Sequence, residues 1–184
     1  MNLRQTYTDE IAPKLMAEFG IKNIMAVPKV RKININMGVK DMAHDKGLID
    51  KVSVQLAAIS GQKPKITRAK IAIANFKLRE NDPIGLTTTL RTTRMYDFMT
   101  KLFGIVLPRV RDFSGVSVTA FDQSGNYTLG LTEQIIFTEI DYAKIDKIRG
   151  LEITFVIQSG NTAISKRLLE LLGMPFKKPH GHKR

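Results

Sequence analysis

The sequence predicts an α+β fold: an antiparallel sheet with helices packed on one face and a polar face opposite. Two patterns predict it. Three segments, 30–39, 84–92 and 151–159, alternate apolar and polar residues, as strands buried on one side do. Between them, apolar residues recur every three or four positions, the spacing of helices with one buried stripe. At 184 residues the chain suits a single domain, 1–184, that buries roughly 70% of its unfolded surface without staples. Its sequence halves run from about 24–80 and from about 84–176.

In chain order, 4–18 reads as a helix, with Tyr7, Ile11, Leu15 and Phe19 at four-residue steps and Pro13 placed to start or kink it. In 30–39, Ile33, Ile35, Met37 and Val39 point one way and Lys32, Asn34 and Asn36 the other. The helix 46–60 buries Leu48, Val52, Leu56 and Ile59 and stops at Gly61. In the next strand Ile84, Leu86, Thr88 and Leu90 alternate with Gly85, Thr87, Thr89 and Arg91. Thr93 is placed to cap a helix whose stripe is Met95, Phe98, Met99, Leu102 and Val106, ended by Pro108. Segment 116–121 reads as a strand, 122–126 as a turn and 142–148 as a short helix. Leu151, Ile153, Phe155 and Ile157 face inward along the last strand. Asn161 or Thr162 caps a helix burying Ile164, Leu168, Leu171 and Leu172, closed by Gly173 and Pro175. The tail 177–184 is basic and expected to be disordered.

Charge points to the partner. Lys and Arg total 29 against 17 acids, a net of +12, which favours nucleic acid or an anionic surface. From 61 to 79 there are six cations (Lys63, Lys65, Arg68, Lys70, Lys77, Arg79) and no acid, so the segment repels itself unless a polyanion answers it. The arm 70–82 is therefore expected to be mobile in the isolated protein and ordered only against RNA, with Ile71, Ile73 and Phe76 too few to build a core of their own. Between 112 and 152 the balance reverses, with seven acids against three cations. That stretch, with Glu133, Glu139 and Asp141, suits a basic protein or water.

The polar sheet face is the strongest candidate site. Asn34, Asn36, Thr87, Thr89 and Arg91 could converge there and offer amides, hydroxyls and a guanidinium to phosphates, 2′-hydroxyls and base edges. Aromatics for stacking unpaired bases are missing, so folded RNA fits better than single strands. Catalytic and metal chemistry find no footing. The glycines of 125–130 lack the following Lys of a phosphate loop and read as a hairpin loop. His180 and His182 are too few for a closed metal site, and His44 stands apart. Glu139 and Asp141 have no histidine or metal cluster beside them, and Ser114 has no recognisable base. Met95 and Met99 are core at helical spacing. No enzyme, cofactor or metal is expected. The chain has no cysteine, no secretory leader and no apolar run near the ~18 residues of a membrane span, so a cytoplasmic location is the default.

The runs KININMGV (32–39), GQKP (61–64), RMYDF (94–98), LPRVRDF (107–113), GNYTLG (125–130), EQIIFTEIDY (133–142), DKIRGLEIT (146–154) and LLGMPF (171–176) occur in order. Together they closely resemble the bacterial-type large-subunit ribosomal protein L-five family, which binds 5S ribosomal RNA. The resemblance covers about 15–176. It implies a structural α+β protein of the central protuberance, docked on 5S RNA, touching 23S RNA and lying beside other 5S-associated ribosomal proteins. By similarity, Asn36, Gln62, Lys63, Thr89 and Arg91 fall on the 5S-facing surface. The loop with Lys70, Lys77 and Arg79 matches the segment that reaches toward P-site transfer RNA. Residues 133–141 lie in the half that faces a basic small-subunit protein across an intersubunit bridge. The chain departs from the family pattern at Asn75, at Asn81-Asp82, and at Thr92-Thr93, where a glycine-bearing turn is usual. A free-standing RNA chaperone or regulator on the same fold is the alternative function.

Overall fold

The protein is described by a computed structural model covering residues 3–43, 46–142 and 145–177. Its helices are α1 (Leu3–Thr6), α2 (Ala12–Phe19), α3 (Lys46–Ser60), α4 (Thr92–Lys101) and α5 (Thr162–Leu171). Its strands are β1 (Lys29–Gly38), β2 (Lys65–Arg68), β3 (Pro83–Leu90), β4 (Tyr127–Leu131) and β5 (Leu151–Gln158). They form one sheet in the order β2-β3-β1-β5-β4, with β3 antiparallel to both β1 and β2. The α+β architecture is as the sequence predicts. The chain falls into two compact units: Met1–Lys32, Arg91–Leu129 and Phe155–Arg184 make one, Ile33–Leu90 and Gly130–Thr154 the other.

The second unit carries the polar sheet face. Ile33, Ile35, Met37, Leu86 and Leu90 are fully enclosed, and α3 packs against β3 with Val52, Leu56 and Ile59 buried. Each such side chain contributes about 1.5–3 kcal/mol of transfer free energy. Gly61, at φ +66°, takes the left-handed conformation that stops α3, and its N–H bonds Ala57 O at 2.8 Å. Gly85 has a different reason to be glycine. A Cβ there would lie 2.7 Å from Met37 O and 3.0 Å from Thr67 Oγ1, so any side chain would push β3 away from its neighbours.

In the first unit two helical runs meet a proline in the same way. The turn Tyr7–Ile11 is widened, Ala12 N bonding Tyr7 O, and Pro13 follows; Leu102–Val106 is widened, Leu107 N bonding Leu102 O, and Pro108 follows. In each case the carbonyl four residues before proline, which the ring would strike in a regular helix, lies in the widened turn. The helical run therefore continues past Pro13 instead of starting there. Aromatic rings pack within a largely aliphatic core, with Phe121 on Tyr127 at 4.7 Å, Tyr127 on Phe176 at 5.6 Å and Phe103 on Phe155 at 5.9 Å between ring centres. The Tyr127 hydroxyl donates to Ser117 O at 2.7 Å, and burial pushes its pKa up to about 12. Arg167 holds Glu18 at 2.7 Å, keeping that carboxyl below its ordinary range.

Several expectations need correction. Thr93 does not cap α4: Arg91 occupies the N-cap position without a side-chain cap, and Thr92 sits at φ +50° with its hydroxyl on Arg91 O. A threonine thus holds the left-handed conformation that the usual glycine would adopt without strain. Segment 116–121 makes only isolated bridges, Val116 with Phe176 and Phe121 with Tyr127. Between them Ser117 Oγ accepts from Thr119 N, a local bond that competes with a sheet ladder. The region 125–130 is more than a hairpin loop, because Tyr127 starts β4. Asp122 closes the preceding turn, accepting from Ser124 N, Asn126 N and Asn126 Nδ2, and these bonds lower its pKa. The expected 142–148 helix lies partly outside the described residues, and 145–148 are not helical. Asn161 is the cap of α5, accepting from Ala163 N. The tail from 178, with His180 and His182, and also His44, lie outside the described residues.

Candidate RNA interface

Strand register builds the candidate surface. Across β1 and β3, Asn34 lies opposite Thr89 and Asn36 opposite Thr87; across β3 and β2, Thr87 lies opposite Lys65. Directly opposed residues point to the same side of a sheet. Lys65, Thr87 and Asn36 therefore form one cross-strand row and Thr89 and Asn34 the next, while Leu86 and Met37 fill the reverse, buried face.

Internal hydrogen bonds hold the row in place. Thr89 Oγ1 is 3.0 Å from Asn34 Oδ1, Thr87 Oγ1 donates to Ile35 O at 3.2 Å, and Asn36 Nδ2 donates to Glu152 Oε2 at 3.3 Å. With its amide nitrogen engaged by Glu152, Asn36 keeps its carbonyl oxygen as an acceptor for a hydroxyl or base N–H. Gln62 Nε2 donates to Thr89 O at 3.4 Å, fixing the GQKP segment at this end of β3, and Lys63 is exposed. Arg91 is also exposed, but it belongs to the other unit as the N-cap of α4. Lys65 and Glu152 are the residues sequence reasoning missed at this face. A four-residue strand is too short for its alternation to reveal where Lys65 points, and Glu152 stood only as an outward position on β5.

The basic arm is a small hairpin, not a segment without structure. Ala69 N bonds Asp82 O at 2.8 Å and Asn81 N bonds Ala69 O at 2.9 Å at its base. Ile73 and Leu78 exchange bonds of 3.0 and 3.2 Å near the tip. Lys77 and Asn81 turn the chain at positive φ, a conformation asparagine tolerates well. Asp82 caps Arg79 N at 2.7 Å, and Arg68 Nη1 reaches Asn81 O at 2.9 Å. Local backbone bonds thus supply what its apolar residues cannot: residues 71–77, Ile71 and Phe76 included, are all exposed, as are Lys70, Lys77 and Arg79.

The acidic stretch is braced from behind. Gln134 is fully buried; its side chain donates to Lys147 O at 2.8 Å and accepts from Arg149 N. The Arg149 guanidinium, 6% exposed, makes a two-pronged contact with Asp146 at 2.9 and 2.7 Å. Lys147 reaches Asp41 at 2.9 Å. Glu133, Glu139 and Asp141 stand exposed on this frame, with Glu139 Oε2 accepting from Thr138. Among the described residues, no group of three or more His, Asp or Glu could hold a metal ion, and no helix is long and apolar enough to cross a membrane.

Comparison with known proteins shows the family. The family described as "Ribosomal protein L5" matches residues 23–79, and the C-terminal part of the same ribosomal protein family matches 83–176. The chain is 56% identical over 176 residues to a protein of Thermoanaerobacter sp. (strain X514), 96% of this chain and 98% of the relative, named "Large ribosomal subunit protein uL5". Proteins of the same name from Caldanaerobacter subterraneus and Desulfatibacillum aliphaticivorans are 54% and 53% identical over the same shares. The chain therefore belongs to the ribosomal protein L5 family, whose members are non-enzymatic structural components of the large ribosomal subunit.

Proposed function

We propose that the polar face of β1 and β3 binds 5S ribosomal RNA and joins it to 23S RNA in the central protuberance of the cytoplasmic ribosome, beside other 5S-associated proteins. One observation carries the reading: the register aligns Lys65, Thr87 and Asn36, with Thr89 and Asn34 beside them, in fixed geometry on a face without aromatic rings. Such a surface offers Lys65 for phosphate and several donors and acceptors for 2′-hydroxyls and base edges. Gln62 and Lys63 extend it at one end, and Arg91 adds a cation just past β3.

The 70–82 hairpin serves a different RNA, the transfer RNA in the P site. Its few hydrogen bonds and exposed side chains leave it free to open in the isolated protein and to close on its partner, with ordering entropy limiting affinity. Replacing Lys77 and Arg79 with Gln is expected to reduce transfer-RNA contact in assembled ribosomes. Each lost phosphate contact flattens the log–log salt dependence by about 0.7–0.9. Binding of 5S RNA by the isolated double variant should match the parent, and an equal loss for both RNAs would show that sheet and hairpin bind as one surface. Hydrogen exchange on the free protein supplies the second check: protection strong throughout 70–82 would exclude an opening hairpin. The acidic surface at Glu133, Glu139 and Asp141 faces a basic protein of the small subunit.

A further inference from the structure

Two glycines face each other across β1 and β3, Gly38 opposite Gly85, and the fold requires only one of them. Gly85 is buried, and the place of its Cβ is held by Met37 O and Thr67 Oγ1. Gly38 is exposed and lies outside the left-handed conformation, and a Cβ there would meet nothing within 4 Å beyond its chain neighbours. Nor is it a frayed strand end, because Val39 N just past it bonds Ile84 O at 2.9 Å. Glycine weakens a strand at such a position, so the chain's own packing gains nothing from it. Its place on the sheet supplies another reason. Residues two apart on a strand share a face, so Gly38 follows Asn34 and Asn36 on the polar side. There Thr67, Gly85 and Gly38 form the row next to Lys65, Thr87 and Asn36. The one row presents an ammonium, a hydroxyl and an amide; the other ends at Gly38 in bare backbone, a notch one side chain deep. An apolar protein anchor finds no apolar lining in it. A sugar–phosphate backbone does fit, since close approach lets it reach the sheet and the Asn36 carbonyl together.

We infer that the sugar–phosphate backbone of 5S RNA rests directly on the sheet at Gly38, whose missing Cβ sets how closely the RNA seats against Asn36 and Thr87. The inference rests on the reading that the polar face binds 5S RNA. It adds a positioning residue that acts by having no side chain, so that the neighbouring amide and hydroxyl come within bonding distance of the RNA.

The test is filter binding of 5S RNA to Gly38→Ala and Gly38→Val, beside urea unfolding of the same proteins. Because the space is open, Gly38→Ala is expected to be at least as stable as the parent, yet to bind 5S RNA about tenfold more weakly. Gly38→Val binds more weakly still. No cation is removed, so the log–log salt slope stays at the parent's value. Gly130→Ala is the matched control. Gly130 is also exposed, open and outside the left-handed conformation, but it lies on β4, separated from β1 by β5. It should bind as the parent does. Parent-like binding by both Gly38 variants overturns the inference, as does an equal loss in Gly130→Ala. A fall in the stability of Gly38→Ala that accounts for its weaker binding also overturns it, since the fold would then need the glycine. Asn36→Ala tests the underlying reading. If it weakens binding and the Gly38 variants do not, the polar face stands and the seat at Gly38 is wrong. Unchanged binding in all of these variants overturns both.

Discussion

Asn36→Ala and Thr89→Ala each weaken binding of 5S RNA by about 1–3 kcal/mol, the cost of leaving a recognition partner unpaired at an interface. Asn36 is exposed and its amide meets the Glu152 carboxylate at 3.3 Å, so its loss changes stability by less than about 0.5 kcal/mol. Thr89 is half-buried and pairs with Asn34 at 3.0 Å; its replacement also costs about 0.5–1.5 kcal/mol of folding stability. Filter binding beside urea unfolding separates the two effects. Glu152→Gln is the informative control. It removes a negative charge from the face, so a purely electrostatic surface would bind RNA more tightly, whereas a surface relying on an oriented Asn36 amide would not gain.

Asp146→Asn destabilises the protein by about 2–3 kcal/mol at neutral pH. It breaks the two-pronged contact to Arg149, whose guanidinium is 6% exposed and would remain as a buried charge without its carboxylate. The figure sits below the full cost of breaking a buried pair because Asp146 itself is 35% exposed and solvent screens part of the interaction. The hydrogen bond from Arg149 pulls the Asp146 carboxyl from its ordinary 3.8 down to about 2. A depressed folded-state pKa stabilises the fold above the unfolded value and ceases to do so as pH falls through the folded one. The stability gap between parent and variant should therefore be constant above about pH 4 and close as pH falls toward about 2. Urea unfolding across that range measures it. A gap unchanged from neutral pH down to about 2 would mean that the pair contributes nothing through ionisation.

The elements legible in the sequence are those with an unbroken period. β1, β5 and α3 repeat their apolar residues over eight or more positions, and register follows once two such strands pair. What could not be read depends on bonds between distant or irregular positions. The widened turns before Pro13 and Pro108 keep the helical spacing of buried residues while rerouting a backbone bond, which leaves no mark in the side-chain pattern. Ser117 and Thr119 look like strand residues, yet the Ser117 hydroxyl satisfies the Thr119 N–H locally. β4 was hidden because Gly125 ahead of it and Gly130 within it carry turn chemistry. At the site, Asn34, Asn36, Thr87 and Thr89 were visible through alternation, whereas Lys65 needed the β2–β3 register to place it. The clamp of Gln134, Asp146 and Arg149 joins residues with no common period. Arg91, grouped with the sheet by its place in the alternation, belongs instead to the start of α4.

The central claim, that 5S RNA lies on the polar face of β1 and β3, can be tested by placing a probe there. The chain contains no cysteine, so single cysteines introduced at Lys65 and at Val54 can each carry a tethered iron chelate that cleaves nearby RNA. Lys65 stands on the polar face, and Val54 on the exposed flank of α3. Cleavage of 5S RNA at a discrete set of nucleotides from position 65, and none from position 54, is the predicted result. Cleavage of 5S RNA from position 54, with none from position 65, would place the RNA on α3 and contradict the assignment of the sheet face.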